Sequence, residues 1–353
     1  MRSRRSTLPK SSALVALLLV LATLLGACSQ SAAVENSPSA AVENSPSAEV
    51  KNSPSAAVEN NSGSAVEIAD YKLDTSIGSP YLSTVVAPLS DKTWGEVDSN
   101  GVLQVKIRGE KVYHPVNSAW FISQMISSYR GSKDPEYLRR AEATTRYLIL
   151  HSVRDESGAT WFPYTFKHAP GKGKLDMGRP WYSGMAQGMM LSTFVNLYET
   201  TGDIYWKNHA DRVFLSFKVE KQNGQPWFRE VEKNGDKNYA WFEEYVGKDV
   251  PSSHVVNGHI YAVYGAYDYY RLTKSEDALL MFNEGAATIR DHFEDYRRPG
   301  GPSWYAVAPF AKDVWKYPAS YHKGVANQLT MLGRMSGDET FTQQAELLRS
   351  DHS

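Results

Sequence analysis

The sequence predicts a mainly α protein, an incomplete (α/α) toroid of helix hairpins with small β segments at its rim. Three observations carry this expectation. Four short polar turns run into an acidic residue: Tyr129-Arg-Gly-Ser-Lys-Asp134, Tyr198-Glu-Thr-Thr-Gly-Asp203, Tyr270-Arg-Leu-Thr-Lys-Ser-Glu276 and Gly333-Arg-Met-Ser-Gly-Asp338. The acidic residues stand 69, 73 and 62 residues apart, which leaves room in each repeat for a helix pair and a long loop. The flanking segments place apolar or small residues on one helical face, as at Leu138, Ala141, Thr145 and Leu148.

Taken in order, the chain begins with a targeting segment. Arg2, Arg4, Arg5 and Lys10 precede an apolar stretch from Ala13 to Ala22, too short to span a bilayer. Leu25-Gly-Ala-Cys28 ends it and resembles the box of a bacterial lipoprotein signal. That resemblance implies removal of residues 1–27, acylation of Cys28, and a protein anchored to the extracytoplasmic face of a bacterial membrane. Cys28 is the single cysteine, so no intramolecular disulfide is available. Residues 28–63 contain an eight-residue repeat, Ser31-Ala-Ala-Val-Glu-Asn-Ser-Pro38 and its copies, with little to bury. They are expected to be a disordered tether.

Residues 64–353 then suit one domain with a sizeable core. Removing residues 1–27 takes away four positive charges and no acids from a chain of net charge −1, leaving about −5. Such a chain has no bulk attraction for nucleic acid. Gly101 to Arg108 alternates like a strand, and Tyr113-His-Pro opens the first hairpin. The runs Trp161 to Phe166 and Trp227 to Val231 are aromatic and β-prone, and read as rim strands. Asp or Ser at such a junction can cap the next helix, and a glycine just before it, as at Gly202 and Gly337, can close the one before.

The stretch 241–261 concentrates chemistry. Glu243, Glu244 and Tyr245 follow an aromatic pair, Pro251-Ser-Ser makes a turn, and a helix start carries His254, Asn257, His259 and Tyr261. Carboxylate, phenol, imidazole and amide together suit proton transfer. Glu243 or Glu244 has an alternative use as a helix cap or as a partner of Lys248. His254 and His259 are five apart, which does not align them on one helical face. No metal-ligand spacing and no nucleotide loop is visible, so no cofactor and no metal is expected.

Three blocks resemble the C-terminal domain of the D-glucuronyl C5-epimerase family. They are Arg179 to Gly188 (Arg-Pro-Trp-Tyr-Ser-Gly-Met-Ala-Gln-Gly), Phe242-Glu-Glu-Tyr245 with Pro251-Ser-Ser253 and Asn257-Gly258, and Ser320-Tyr-His322 with Asn327-Gln-Leu329. Tyr113-His-Pro-Val116 is a weaker fourth. The resemblance implies conversion of D-glucuronate to L-iduronate within a heparosan-like, uronate-containing polysaccharide, by proton removal and return at C5 and without a redox cofactor. It implies Tyr321 as an acid/base and Glu244 with Tyr245 as a catalytic pair. Tyr305 matches a further family tyrosine, but Ala-Val-Ala-Pro309 follows it where the family has Asp-Leu-Arg-His. The arginine that would hold the uronate carboxylate is therefore missing there, with Arg179, Lys312 and Lys323 as candidate replacements. Arg179 can pair a carboxylate through two parallel hydrogen bonds. Trp181 and Tyr182 offer aromatic faces, while Gln187, Asn257, Asn327 and Gln328 offer amides to sugar hydroxyls. His322 faces either the substrate or the helix interior. The partners expected are an acidic polysaccharide and a membrane reached through Cys28; a homodimer is compatible with this. A polysaccharide lyase shares the first step, and a non-enzymatic glycan-binding lipoprotein is the alternative of another class.

Overall fold

The structure is a computed structural model that describes residues 65–222, 224, 226–315 and 319–352. The targeting segment 1–27, the lipidation at Cys28 and the repeat tether lie outside the described residues. Four helix hairpins build the toroid: α1 (Pro115–Ser132) with α2 (Pro135–Leu150), α4 (Gly184–Thr201) with α5 (Ile204–Leu215), α6 (Val256–Thr273) with α7 (Glu276–Asp291), and α10 (Ala319–Ser336) with α11 (Glu339–Asp351). Three short helices, α3 (Pro170–Gly173), α8 (Phe293–Tyr296) and α9 (Pro309–Val314), sit in the connections.

The junctions behave as their chemistry requires. Asp134, Asp203 and Asp338 each accept a hydrogen bond from the backbone N–H two residues on, capping α2, α5 and α11. At the third junction Ser275 holds the cap position and Glu276 is the first helical residue. The preceding helices close through a left-handed residue, Gly202 after α4 but Lys133 after α1 and Lys274 after α6. The hydrogen bond back to a carbonyl of the last turn is thus kept at two sites without glycine.

α1, α4, α6 and α10 form the inner layer, with α4 lying between α1 and α6, and α6 also meeting α10. α4 and α6 are buried nearly all round. Their backbones touch: a Cβ on Gly188 would sit 2.5 Å from the Ala262 Cα, and one on Gly265 would sit 2.5 Å from the Gly188 oxygen. Such an approach needs the missing side chains. The outer helices bury one face, for example Tyr137, Ala141, Thr144, Thr145 and Leu148 on α2. Among the described residues no helix is long and apolar enough to cross a membrane.

The β segments are small. β1 (Glu96–Val97), β2 (Leu103–Ile107) and β3 (Glu110–Val112) form an antiparallel sheet. β4 (Val153–Arg154) pairs with β5 (Thr160–Trp161), and β6 (Arg229–Asn234) pairs with β7 (Lys237–Phe242) in the register Arg229 to Phe242. The expected strand 161–166 shrinks to the β5 pair and a single bridge from Tyr164 to Trp181. The run 237–242 is a strand that the alternation pattern did not announce, because four successive residues from Tyr239 to Phe242 are buried. α6 begins at Val256, so His254 stands in the turn before it rather than on the helix.

Candidate active site

β7 carries the chain straight into the residues of interest. Residues 243–246 run beside 182–184: Gly184 N–H donates to the Glu243 carbonyl (2.7 Å), and Tyr182 and Val246 exchange hydrogen bonds of 2.8 and 2.9 Å. In such an extended segment successive side chains point opposite ways. Glu243 and Glu244 therefore meet different surroundings one residue apart.

Glu243 turns toward the 251–254 turn and is satisfied there. Its carboxylate accepts from Ser253 N–H (3.0 Å), the Ser253 hydroxyl (3.2 Å) and His254 N–H (2.8 Å). Glu244 turns toward the start of α6. Its Oε1 accepts from the Tyr305 hydroxyl at 3.2 Å, and its buried Oε2 has no hydrogen-bond partner. Burial pushes the Glu244 carboxyl up to about 7, with the neighbouring Glu243 adding to the rise and the Tyr245 and Tyr305 hydroxyls opposing it. Gly258 makes room for it, since a Cβ there would lie 2.1 Å from Oε2.

Phenols surround this carboxylate. The hydroxyls of Tyr245 and Tyr305 are 3.1 Å apart, and the Tyr305 ring meets the Tyr321 ring edge-on at 4.8 Å. Glu244 adds to the upward shift of Tyr164, Tyr245, Tyr261, Tyr305 and Tyr321, in each case after burial as the larger cause. All five are held as neutral phenols. An aromatic wall continues from them. Trp315 stacks on Tyr245 at 5.2 Å, His168 stacks on its ring at 5.5 Å, and His168 also stacks on Trp181 at 5.2 Å. Burial, followed by the charge of Arg108, lowers His168 to about 4, so its imidazole is neutral. Arg108 occupies the exposed turn between β2 and β3 and makes no ion pair among the described residues.

Buried polar atoms in and around this cluster stand without hydrogen-bond partners: Glu244 Oε2, His168 Nε2, Asn257 Oδ1 and Gln328 Oε1. Gln328 donates its Nε2 to the Asn257 carbonyl at 3.0 Å, which ties α10 to the first turn of α6. Unmade hydrogen bonds on buried groups cost about 1–3 kcal/mol each, a cost that a hydroxyl-rich ligand would relieve.

The structure thus brings Tyr321, Glu244, Tyr245, Tyr305, Trp181, Asn257 and Gln328 to one end of the inner helices. Other expected site residues are elsewhere. Gln187 is a structural amide, donating to the Thr160 carbonyl and the Ser216 hydroxyl (both 2.9 Å) and accepting from Phe162 N–H at 3.0 Å. His322 faces the helix interior: its Nδ1 accepts from Ser303 N–H at 2.9 Å, and its Nε2 lies 2.7 Å from the Leu348 carbonyl. Asn327 is on the outer side of α10, accepting from Arg349 at 3.2 Å. Tyr182 packs edge-on against Trp161 at 5.8 Å, with its backbone held by Val246. Arg179 and Lys323 are exposed, and Lys312 donates to the Asp295 carbonyl at 3.2 Å. His168, Trp315 and Arg108 were not singled out as site residues from sequence, and Tyr261 was noted in the 241–261 stretch without a role. His168, Trp315 and Arg108 lie in loops or turns, where a lone residue carries no periodic signal.

The C-terminal half of the chain matches the family model described as D-glucuronyl C5-epimerase C-terminus over residues 154–350. An uncharacterised protein of Methanocaldococcus jannaschii is 30% identical over 212 residues, which is 58% of this chain and 64% of that one. The D-glucuronyl C5-epimerase of Caenorhabditis elegans is 27% identical over 125 residues, 35% of this chain and 18% of that protein. The chain therefore spans less than two thirds of either relative. Among solved structures, the cellobiose 2-epimerase of Bacillus thermoamylovorans superposes with a TM-score of 0.51 at 13% identity, covering 72% of this chain and 64% of that one. That similarity is one of α/α toroid fold.

Proposed function

This chain belongs to the D-glucuronyl C5-epimerase C-terminal family, and from that premise we propose that it inverts C5 of D-glucuronate to give L-iduronate residues in a heparosan-like polysaccharide. The observation that carries the reading is the chain of groups Glu244, Tyr305 and Tyr245, with the Tyr321 ring against Tyr305. Inversion at C5 needs a proton acceptor on one face of the ring and a donor on the other. Glu244 with Tyr245 serves one face and Tyr321 the other.

In the forward step the C5–H bond breaks and its proton passes to the Glu244 carboxylate. The electron pair moves into the substrate carboxylate as an enediolate. A phenol then delivers a proton from the Tyr321 side, and the C5–H bond re-forms with opposite configuration. Tyr305 donates to Glu244 and abuts Tyr321, so it is placed to return the proton between the two sides. The half-buried Tyr321 also exchanges with water. The enediolate carries an added charge that a cation must meet. We assign that role to Arg108, which lacks a carboxylate partner among the described residues and whose charge is felt by His168 on the aromatic wall. The faces of Trp181, Tyr245 and Trp315 suit stacking against sugar rings.

The N-terminal pattern supports export and anchoring through acylated Cys28. Incubation of the full chain with heparosan in deuterated water tests the reaction. Deuterium should enter at C5 of uronate residues while chain length stays constant, read by NMR and size-exclusion chromatography. Shortened chains with unsaturated ends would make the protein a lyase, and binding without exchange would make it a glycan-binding protein.

A further inference from the structure

On the side of the 243–246 segment away from Glu244, three side chains from three elements converge. Glu230 lies on β6, Glu243 follows β7, and His254 closes the 251–254 turn; one donor atom of each lies within 4.8 Å of the others. His254 is 6% exposed and Glu243 fully buried. His254 Nε2 is 3.5 Å from Glu243 Oε1 and 3.9 Å from Glu230 Oε2. Neither that Nε2 nor Glu230 Oε2 has a hydrogen-bond partner. Two ligands bound at about 2.1 Å to a tetrahedral ion are about 3.4 Å apart, so the spacing around Nε2 suits a shared ion better than a direct bond.

The surroundings of the imidazole fit the same use. Its Nδ1 lies 3.4 Å from the Glu232 carboxylate, and its ring stacks on Trp241 at 4.6 Å with planes 8° apart. A carboxylate on one ring nitrogen fixes the tautomer and presents the other nitrogen's lone pair, the arrangement found behind metal-bound histidines. Lys221 is the competing cation nearby, but it donates to the other oxygen, Glu230 Oε1, at 2.7 Å and to the Ser252 hydroxyl at 2.9 Å. Beside the cluster is a cleft of about 380 Å³ lined by Glu230, Glu232, His254 and Phe310, which leaves space for a water or a further ligand on the ion.

We propose that Glu230, Glu243 and His254 form a binding site for a divalent metal ion of the zinc or manganese class. One imidazole and two carboxylates select such ions over calcium or magnesium, which favour oxygen alone. The ion would tie β6, the end of β7 and the 251–254 turn together one residue from Glu244. The spacing of residues 230, 243 and 254 gave no sign of this, because the ligands come from a hairpin and a turn rather than from one helix. The inference does not rest on the epimerase reading.

The test is calorimetric titration of the chelator-treated full chain with zinc chloride and, separately, manganese chloride. We expect one tight site for at least one of the two ions. His254→Ala should weaken it at least 100-fold, and Glu232→Gln, which leaves all three ligands in place, should weaken it about 10- to 100-fold. Circular dichroism confirms that each variant is folded, and Glu230→Gln replaces any that is not. Unchanged affinity in His254→Ala, or no uptake of either ion by the wild type, would overturn the proposal and leave His254 as an ion partner of the carboxylates. Deuterium exchange at C5 is not the readout, so failure here and failure of the epimerase reading are separate results.

Discussion

Two buried carboxylates, Glu244 packed against the start of α6 and Asp268 carried on its second half, are both raised by burial, yet their surroundings differ. At the rear, Asp268 accepts from the Ser79 hydroxyl at 2.6 Å and faces Arg271 at 3.5 Å. Asn196 in turn donates to Ser79 at 2.9 Å, and Arg271 pairs with Glu199. At the front, Glu244 meets phenols alone and keeps one oxygen unpartnered. Gly258 and Asp268 are ten residues apart on the helix, about 15 Å. Desolvation is common to both sites. Each also keeps one oxygen without a hydrogen bond, so what separates them is charge: Asp268 Oδ1 faces the Arg271 guanidinium at 3.5 Å, whereas Glu244 Oε2 has no cation paired with it among the described residues. A structural carboxylate and one poised for chemistry thus differ in their partners before they differ in acidity.

The strongest way to break this comparison is to remove the front groups and look for damage of the rear kind. Glu244→Gln and Tyr321→Phe should each lower C5 exchange by about 10²- to 10⁴-fold, the range for loss of an acid/base group. Thermal unfolding should move little in either. A variant that unfolds readily yet retains exchange in its folded fraction would make the front cluster structural too.

Gly258→Ala tests whether the open space at Glu244 matters. The added methyl meets the carboxylate itself, with Glu244 Oε2 at 2.1 Å and Cβ at 2.7 Å. Glu244 must move, and we expect exchange to fall at least tenfold, together with a loss of about 1–3 kcal/mol from overpacking in urea unfolding. Retained activity would place the reacting proton away from Glu244. A smaller effect is expected of Arg108→Ala: a rise in KM for heparosan of about tenfold, partly restored by Arg108→Lys, with unfolding unchanged. Unaltered kinetics would move the carboxylate-binding cation elsewhere.

The helices and their junctions were legible in the sequence because they obey local rules. Asp134, Asp203 and Asp338 cap helices by bonds that span two residues, and such bonds leave a fixed signature. Glu244, Tyr245, Tyr305 and Tyr321 were legible as a group through their resemblance to a family, not through spacing; Tyr305 and Glu244 are 61 residues apart and meet only in the fold. Two of the expected residues turn away from the cluster for one reason. Gln187 and His322 are polar residues inside matching blocks, and a block does not say whether an amide turns to the cavity or to a carbonyl behind it. Gln187 is used up by Thr160, Ser216 and Phe162, and His322 by Ser303 and Leu348. The resemblance named Glu244 rather than Glu243, but local chemistry could not separate the two, since only the alternation of an extended segment assigns one to the turn and the other to the phenols.

The rear carboxylate gives the converse test, in which stability moves and chemistry does not. Burial raises Asp268 to about 6, while Arg271 and the Ser79 hydroxyl pull it down. The unfolded chain ionises this group near its ordinary value of about 3.9. Between those values the unfolded state has released the proton and the folded state still holds it. Asp268 therefore contributes stability that is fully present below about pH 4 and is lost as pH rises through about 6. The difference amounts to about 3 kcal/mol at most, since the Arg271 pair relaxes on ionisation. Asp268→Asn cannot ionise, so its stability relative to the wild type should climb from pH 4 to pH 7 in urea unfolding, while C5 exchange at a fixed pH stays within about twofold. If the two proteins keep a constant gap across that range, Asp268 is ionised in the fold throughout. The Arg271 contact, rather than desolvation, would then govern the rear, and the contrast with Glu244 would lie in charge pairing alone.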